Sequence, residues 1–138
     1  MTVNGGEFVA RNVLLVMHRK LLSDALIAQT THGAPFTIVA EQDYAAAVLT
    51  AETCSPDIVL MEIPESGPWG FTEKCLTVCD MIRSQLPGCK QVILCNEFDA
   101  ESCRAAIRAK QAHRIDDFLF YENSVNYLLS KLEALIEN

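Results

Sequence analysis

Five short apolar runs, each followed by a stretch of helical periodicity, limit what this chain can fold into more than any other feature. VLLVM at 13–17 is followed by KLLSDALIAQ, in which Leu22, Ala25, Leu26 and Gln29 recur at helical spacing. FTIVAE at 36–41 precedes DYAAAVLTAETC, a helix-forming stretch stopped by Ser55 and Pro56. IVLMEI at 58–63 is the third run, and a loop carrying Pro64, Gly67, Pro68 and Gly70 leads from it into a helix over 71–86, ended by Pro87 and Gly88. After QVILCN at 91–96, Asp99 is placed to cap a helix that runs to Gln111, with Arg104, Arg108 and Lys110 toward its negative end. DDFLFY at 116–121 is the fifth run, and a last helix over 124–136 puts Val125, Leu128, Leu129, Leu132 and Leu135 on one face. Strands alternating with helices in this way specify an α/β fold of three layers, a parallel sheet covered on both faces through right-handed crossovers. Ligands of such sheets bind in a crevice beyond the carboxyl ends of the strands.

Composition narrows the function. A chain of 138 residues is one domain, and 11 Lys and Arg against 18 Asp and Glu oppose a phosphate backbone, so direct nucleic-acid binding by this domain is excluded. No apolar run approaches the roughly 18 residues of a membrane span, and the start MTVNGGEFVARN lacks the basic flank and apolar segment of a signal peptide. The expectation is a cytoplasmic protein, with residues 1–11 as a flexible tail and 12–138 as the folded domain. The six cysteines include no CxxC pair. Cys75 and Cys79 are spaced as two zinc ligands on a helix would be, but Phe71, Cys75, Val78, Cys79 and Ile82 also form an apolar stripe, and core packing is the reading taken.

Glu62 interrupts the third run just before its end. Removing a carboxylate from water is costly unless it is paired or opens into a polar crevice, and the carboxyl end of a parallel strand provides the crevice. Asp57 lies at the opposite end of that strand, about 16 Å away, and reads as a strand-entry residue. Trp69 and Phe71 follow the loop beside the crevice. Phe71 falls on the helix stripe and is expected in the core, whereas Trp69 either covers the pocket or meets a partner.

The runs NVLLVMHRKLLSDAL, PDIVLMEI with Gly70 eight residues after Glu62, LPGCKQVILCNEFDAESCRAAIRA and IDDFLFY resemble the receiver domain of bacterial response regulators. The resemblance covers residues 12–137. It implies a flavodoxin-like, CheY-like sheet of strand order 2-1-3-4-5 and a role in two-component or transcription-regulatory signalling. It also implies an acidic pair after the first strand, a phosphoacceptor Asp at the end of the third, a Thr or Ser after the fourth and a Lys before Pro after the fifth. Those positions here hold Met17 and His18, Glu62, Asn96, and Tyr121 followed by Glu122, and residues 111–114 hold about three extra residues relative to the family pattern.

Magnesium wants oxygen ligands, and phosphoryl transfer wants positive charge at the developing phosphate oxygens. With Met17, His18 and no Lys at these positions, the expectation is a site without metal, nucleophile or clamp, and Glu62 held by a hydrogen bond to His18 or Asn96; the other reading of Glu62 is that its longer side chain reaches into the space of a phosphoryl group and holds the domain near an active-like state. The chain is therefore expected to be no enzyme and to use no cofactor. It would act as a pseudo-receiver through contacts with a protein partner or a second copy of itself, with Trp69, Arg104, Arg108, Tyr127 and Lys131 as the candidate surface. The alternative from a different class is a small-molecule or metal sensor using His18, Glu62 and Asn96 around the crevice.

Overall fold

A computed structural model describes residues 11–30 and 36–137, with the side chain of Glu137 left aside. Five parallel strands, β1 (Arg11–Val16), β2 (Phe36–Glu41), β3 (Ile58–Glu62), β4 (Lys90–Cys95) and β5 (Asp117–Phe120), form one sheet in the order β2-β1-β3-β4-β5. The helices are α1 (Lys20–Thr30), α2 (Ala47–Cys54), α3 (Thr72–Gln85), α4 (Ala100–Gln111) and α5 (Val125–Glu137), with a single 3-10 turn at Tyr44–Ala46 before α2. The parallel, three-layer sheet is the one the apolar runs specify, and its strand order is that of the flavodoxin-like receiver fold implied by the resemblance. Arg11, the last residue of the expected tail, pairs with Phe36 in the sheet; the rest of that tail lies outside the described residues.

Period-two alternation along buried strands sorts the core into two layers. Leu14, Val16, Val59, Met61, Ile93 and Cys95 pack under α2, α3 and α4, while Val13, Leu15, Met17, Ile58, Leu60, Val92 and Leu94 pack under α1 and α5. Cys75 and Cys79 lie in the first layer, as the stripe predicted, and burial pushes both thiols up to about 12. Phe71 does not join them. It holds an extended conformation at the N-cap of α3, φ −120°, and is 67% exposed, because the helix begins only at Thr72, which takes the inward place.

Local signals end the helices where expected. Ser55 closes α2 in the left-handed region at φ 46°, and the Asp99 carboxylate accepts the Ser102 N–H at 3.2 Å to cap α4. The loop after β3 turns at Gly67, φ 86°, and passes so close to itself that a Cβ on Gly70 would come within 3.1 Å of the Ser66 main chain. After α4 the chain turns with His113 at φ 61°, which delivers the Arg114 guanidinium to both Glu73 and Asp80 at 2.8 Å. Both carboxylates on α3 raise the pKa of that guanidinium further. Asp57 has the strand-entry role foreseen: its Oδ2 accepts the Asn12 N–H at 2.8 Å, joining β3 to β1 at the amino edge of the sheet. No cis peptide occurs among the described residues, so the Tyr121–Glu122 bond is trans.

Candidate functional site

The alternation that buries Ile58 and Leu60 under α1 and α5 points Glu62 to the same side of the sheet, at its carboxyl edge. Val16 pairs with Met61, so the chain leaving β1 must turn over the end of β3 before it enters α1. That turn delivers the main-chain N–H groups of His18 and Arg19 to Glu62 Oε1 at 2.8 and 3.1 Å. The Arg19 Nε–H donates to Oε2 and closes a salt bridge. Both carboxylate oxygens are therefore engaged. The Glu62 side chain is only 2% exposed and that of Arg19 44%, so a buried anion is matched by a cation reaching in from the surface.

Two of the expectations change here. The site has a positive clamp after all, but it comes from the loop after β1, not from the strand that would carry a Lys. Glu62 is bonded at His18, as expected, but through the main-chain N–H, while Asn96 makes its bond elsewhere: its Nδ2 donates to Glu65 Oε2 at 3.0 Å. Sequence reading passed over Arg19, which stands in the polar break MHRK. The usable signal was topological, since strand order 2-1-3 places the residues just after β1 beside the end of β3.

Tyrosines brace this ion pair. The Tyr121 ring lies against the Arg19 guanidinium, whose carbon is 4.5 Å from the ring centroid, and its hydroxyl donates to the Ile63 carbonyl. Tyr44, buried beneath the same strand ends, donates its hydroxyl to the Glu62 carbonyl at 2.5 Å with the Val16 carbonyl at 3.3 Å. Burial first, and then the charge of Glu62, pushes both phenols above the ordinary tyrosine value. Trp69 stacks on Tyr44 with ring centroids 5.6 Å apart, and Lys74 Nζ lies 4.4 Å from its centroid. Its ring is thus committed to packing beside the core, half-buried rather than projecting.

The other predicted positions are spread apart. Met17 is fully buried in the layer under α1 and α5, and His18 is exposed. A cavity of about 210 Å³ opens beside the carboxyl edge, lined by Ile63, Pro64, Glu65, Asn96, Asp99, Ser102 and Tyr121. Of the three residues that the sensor reading requires, only Asn96 borders it. Among the described residues, no cluster of three or more His, Cys, Asp or Glu side chains is arranged to hold a metal ion. Arg104, Arg108 and Tyr127 are exposed on α4 and α5, and Lys131 lies 3.8 Å from Asp117, which Lys110 also meets at 3.0 Å. No described helix is long and apolar enough to cross a membrane.

No protein-family model matches the sequence, and no curated protein is similar to it. Solved structures are similar throughout. A DNA-binding response regulator of the LuxR family from Staphylococcus aureus is 19% identical, with TM-score 0.72 over 93% of this chain and 99% of that one. The signal receiver domain of a putative LuxO repressor protein from Vibrio parahaemolyticus is 16% identical, with TM-score 0.73 over 94% and 92%. A structure described as an adenylate cyclase from Rhodopirellula baltica is 15% identical, with TM-score 0.78 over 94% and 89%. At these identities the likeness is one of fold, and the fold is that of response regulator receiver domains.

Proposed function

We propose that this chain is a noncatalytic pseudo-receiver: its folded domain, with Arg11 of β1 as the first described residue, signals through protein contacts without phosphorylation of an aspartate. In this reading Met17 and His18 stand at the positions of the acidic pair, Glu62 at the phosphoacceptor, and Asn96 and Tyr121 at the Thr and Lys positions. The observation that carries the proposal is the state of the Glu62 carboxylate, buried with both oxygens bonded to the loop after β1. Three of the roughly four acceptor sites of the carboxylate are occupied and the side chain is only 2% exposed, which supports a group shielded from a phosphoryl donor. Met17 brings no carboxylate and turns into the core, and among the described residues no cluster of three or more His, Cys, Asp or Glu is arranged to bind magnesium.

Such a domain has one resident conformation. A ligand shifts an equilibrium only by its differential affinity for two states, and here the groups that would supply the difference are replaced by a permanent internal pair. Output then depends on the exposed faces, with Arg104, Arg108 and Tyr127 on α4 and α5 available to a protein partner or a second copy.

Incubation with acetyl phosphate or phosphoramidate and magnesium, read by intact mass, tests the proposal. The protein is expected to remain unmodified, with its oligomeric state by light scattering unchanged by magnesium and beryllofluoride. An acid-labile adduct mapped to the carboxyl edge of the sheet would overturn it.

A further inference from the structure

The cavity beside the carboxyl edge continues past that edge. Asp99 and Ser102, which line it, also line a second cavity of about 250 Å³ at the first turns of α3 and α4, together with Phe71, Ala105 and Arg108. Ala105 and Arg108 in turn line a third, of about 170 Å³, that reaches Ala109, Ala112 and Arg114. Shared lining residues make these one groove along α4, from the N-cap Asp99 to the C-cap Ala112, about 20 Å long at about 1.5 Å per residue. Its two walls are tied together: Thr72 Oγ1 donates to Ser102 Oγ at 3.0 Å, and Arg114 meets Glu73 and Asp80 of α3 at 2.8 Å. The small side chains of Ala105, Ala109 and Ala112 leave room for another backbone to come close.

One end of the groove is aromatic and acidic. Phe71 precedes Thr72 and is 67% exposed, and Phe98 precedes Asp99 and is 78% exposed. The Ser102 hydroxyl that accepts from Thr72 donates to Asp99 Oδ2 at 3.1 Å, so the two phenylalanines adjoin one bonded junction. Large apolar side chains exposed together beside a groove mark an interaction site. Glu65, Asp99 and Glu101 line this end, and Glu97 stands exposed between Asn96 and Phe98. Lys74, in the first turn of α3, is committed to the Pro68 carbonyl at 3.1 Å and to the Trp69 ring. The cations that line the groove, Arg108 and Arg114, stand toward its other end.

We propose that this groove receives a helix from a partner protein: an amphipathic segment of about four turns, with its apolar stripe on Phe71, Phe98 and the alanines and its Lys or Arg residues at Glu97 and Glu101. Charge selects this occupant. A second copy of the chain would bring a net charge of −7 to the carboxylates, and a nucleic acid would bring its phosphates. The groove lies on the α3 side of α4, whereas Tyr127 and Lys131 belong to α5, so it is a docking face separate from α5. The inference rests on the reading that output runs through protein contacts, and not on the absence of phosphorylation. Phosphoryl labelling and helix docking are measured separately, and either can fail alone.

Phage-displayed random peptides of about 16 residues are selected on the whole protein, and the enriched sequences are synthesised. The expected peptides carry apolar residues at helical spacing and Lys or Arg at one end, gain helix on binding, and shift the amide resonances of Ala105, Ala109 and Ala112. Phe98→Ser, at an exposed position where folding does not depend on the ring, should weaken binding at least about tenfold, and Phe71→Ser likewise. Glu101→Lys should weaken it as well, and so should raising salt from about 50 to about 500 mM. Should Phe71→Ser fail to fold, Phe98→Ser and Glu101→Lys decide. No enrichment, peptides without a basic bias, affinity unchanged in the phenylalanine variants, or resonance shifts confined to α5 would each overturn the proposal. So would a concentration-dependent dimer by light scattering that Phe98→Ser abolishes, since it would give the groove to a second copy.

Discussion

Replacing Arg19 with Met tests the account of Glu62 most sharply. The substitution keeps a flexible stem and removes the guanidinium, so the main-chain N–H groups of His18 and Arg19 still donate to Oε1 while Oε2 loses its partner. Removing one partner of a fully buried pair costs about 3–5 kcal/mol, because the remaining charge is stranded. Two features reduce that here: Arg19 is 44% exposed, so water reaches its side of the pair, and the two N–H bonds continue to stabilise the anion. We expect a loss of about 2 kcal/mol, seen as a urea midpoint lower by about 1 M or a melting temperature lower by about 7 °C. The double variant Arg19→Met with Glu62→Leu should be no less stable than Arg19→Met alone, since removing both charges removes the stranded one. Urea unfolding followed by circular dichroism measures all three proteins. A loss below about 0.5 kcal/mol for Arg19→Met would place the contact among ordinary surface ion pairs and refute the claim that it neutralises Glu62.

Tyr44→Phe removes the hydroxyl that meets the Glu62 carbonyl in the core and should cost about 1–2 kcal/mol in the same assay. Because burial and the Glu62 charge hold Tyr44 and Tyr121 above the ordinary phenol value, neither should ionise in a spectrophotometric alkaline titration until the chain unfolds. The Thr50 hydroxyl and the Asp43 N–H depress Glu41 below 4.5, so Thr50→Val should move the Glu41 carboxyl titration upward by NMR. The stabilisation lost in that variant is fully present above the unfolded value of 4.5 and disappears from the parent as pH falls through the lower folded value. Asp99→Ala strips α4 of its cap and should cost about 1 kcal/mol, measurable as a midpoint shift with unchanged slope.

The central strands β1, β3 and β4 were legible because burial on both faces writes them as continuous apolar runs, while the edge strands β2 and β5, mostly less buried, were legible from their alternation with helices. Helix ends were legible where one residue decides them, as at Ser55 and Asp99. Phe71 was misplaced because a stripe read at helical spacing assumes that the helix has begun, and an extended residue one step before it turns the other way. Arg19 was missed for a different reason. Its bond spans 43 residues of sequence and depends on a main-chain turn, so nothing local distinguishes it from the solvated Lys20 beside it, whose partner is Asp24 on the next turn of α1. The tyrosine brace is likewise a product of tertiary placement, invisible to periodicity.

An ion pair within one chain has no concentration to fall below and no bond to hydrolyse. A phosphoryl group is a timer that starts when it is attached and runs out when water removes it; the Arg19–Glu62 pair is made when the polypeptide folds and ends when it is degraded. On the proposed reading, the signal is therefore set by the number of folded copies. Synthesis and proteolysis would then be the means of raising and lowering it, and a substitution costing only about 1–2 kcal/mol, far from any contact surface, would act as a volume control through the steady-state population.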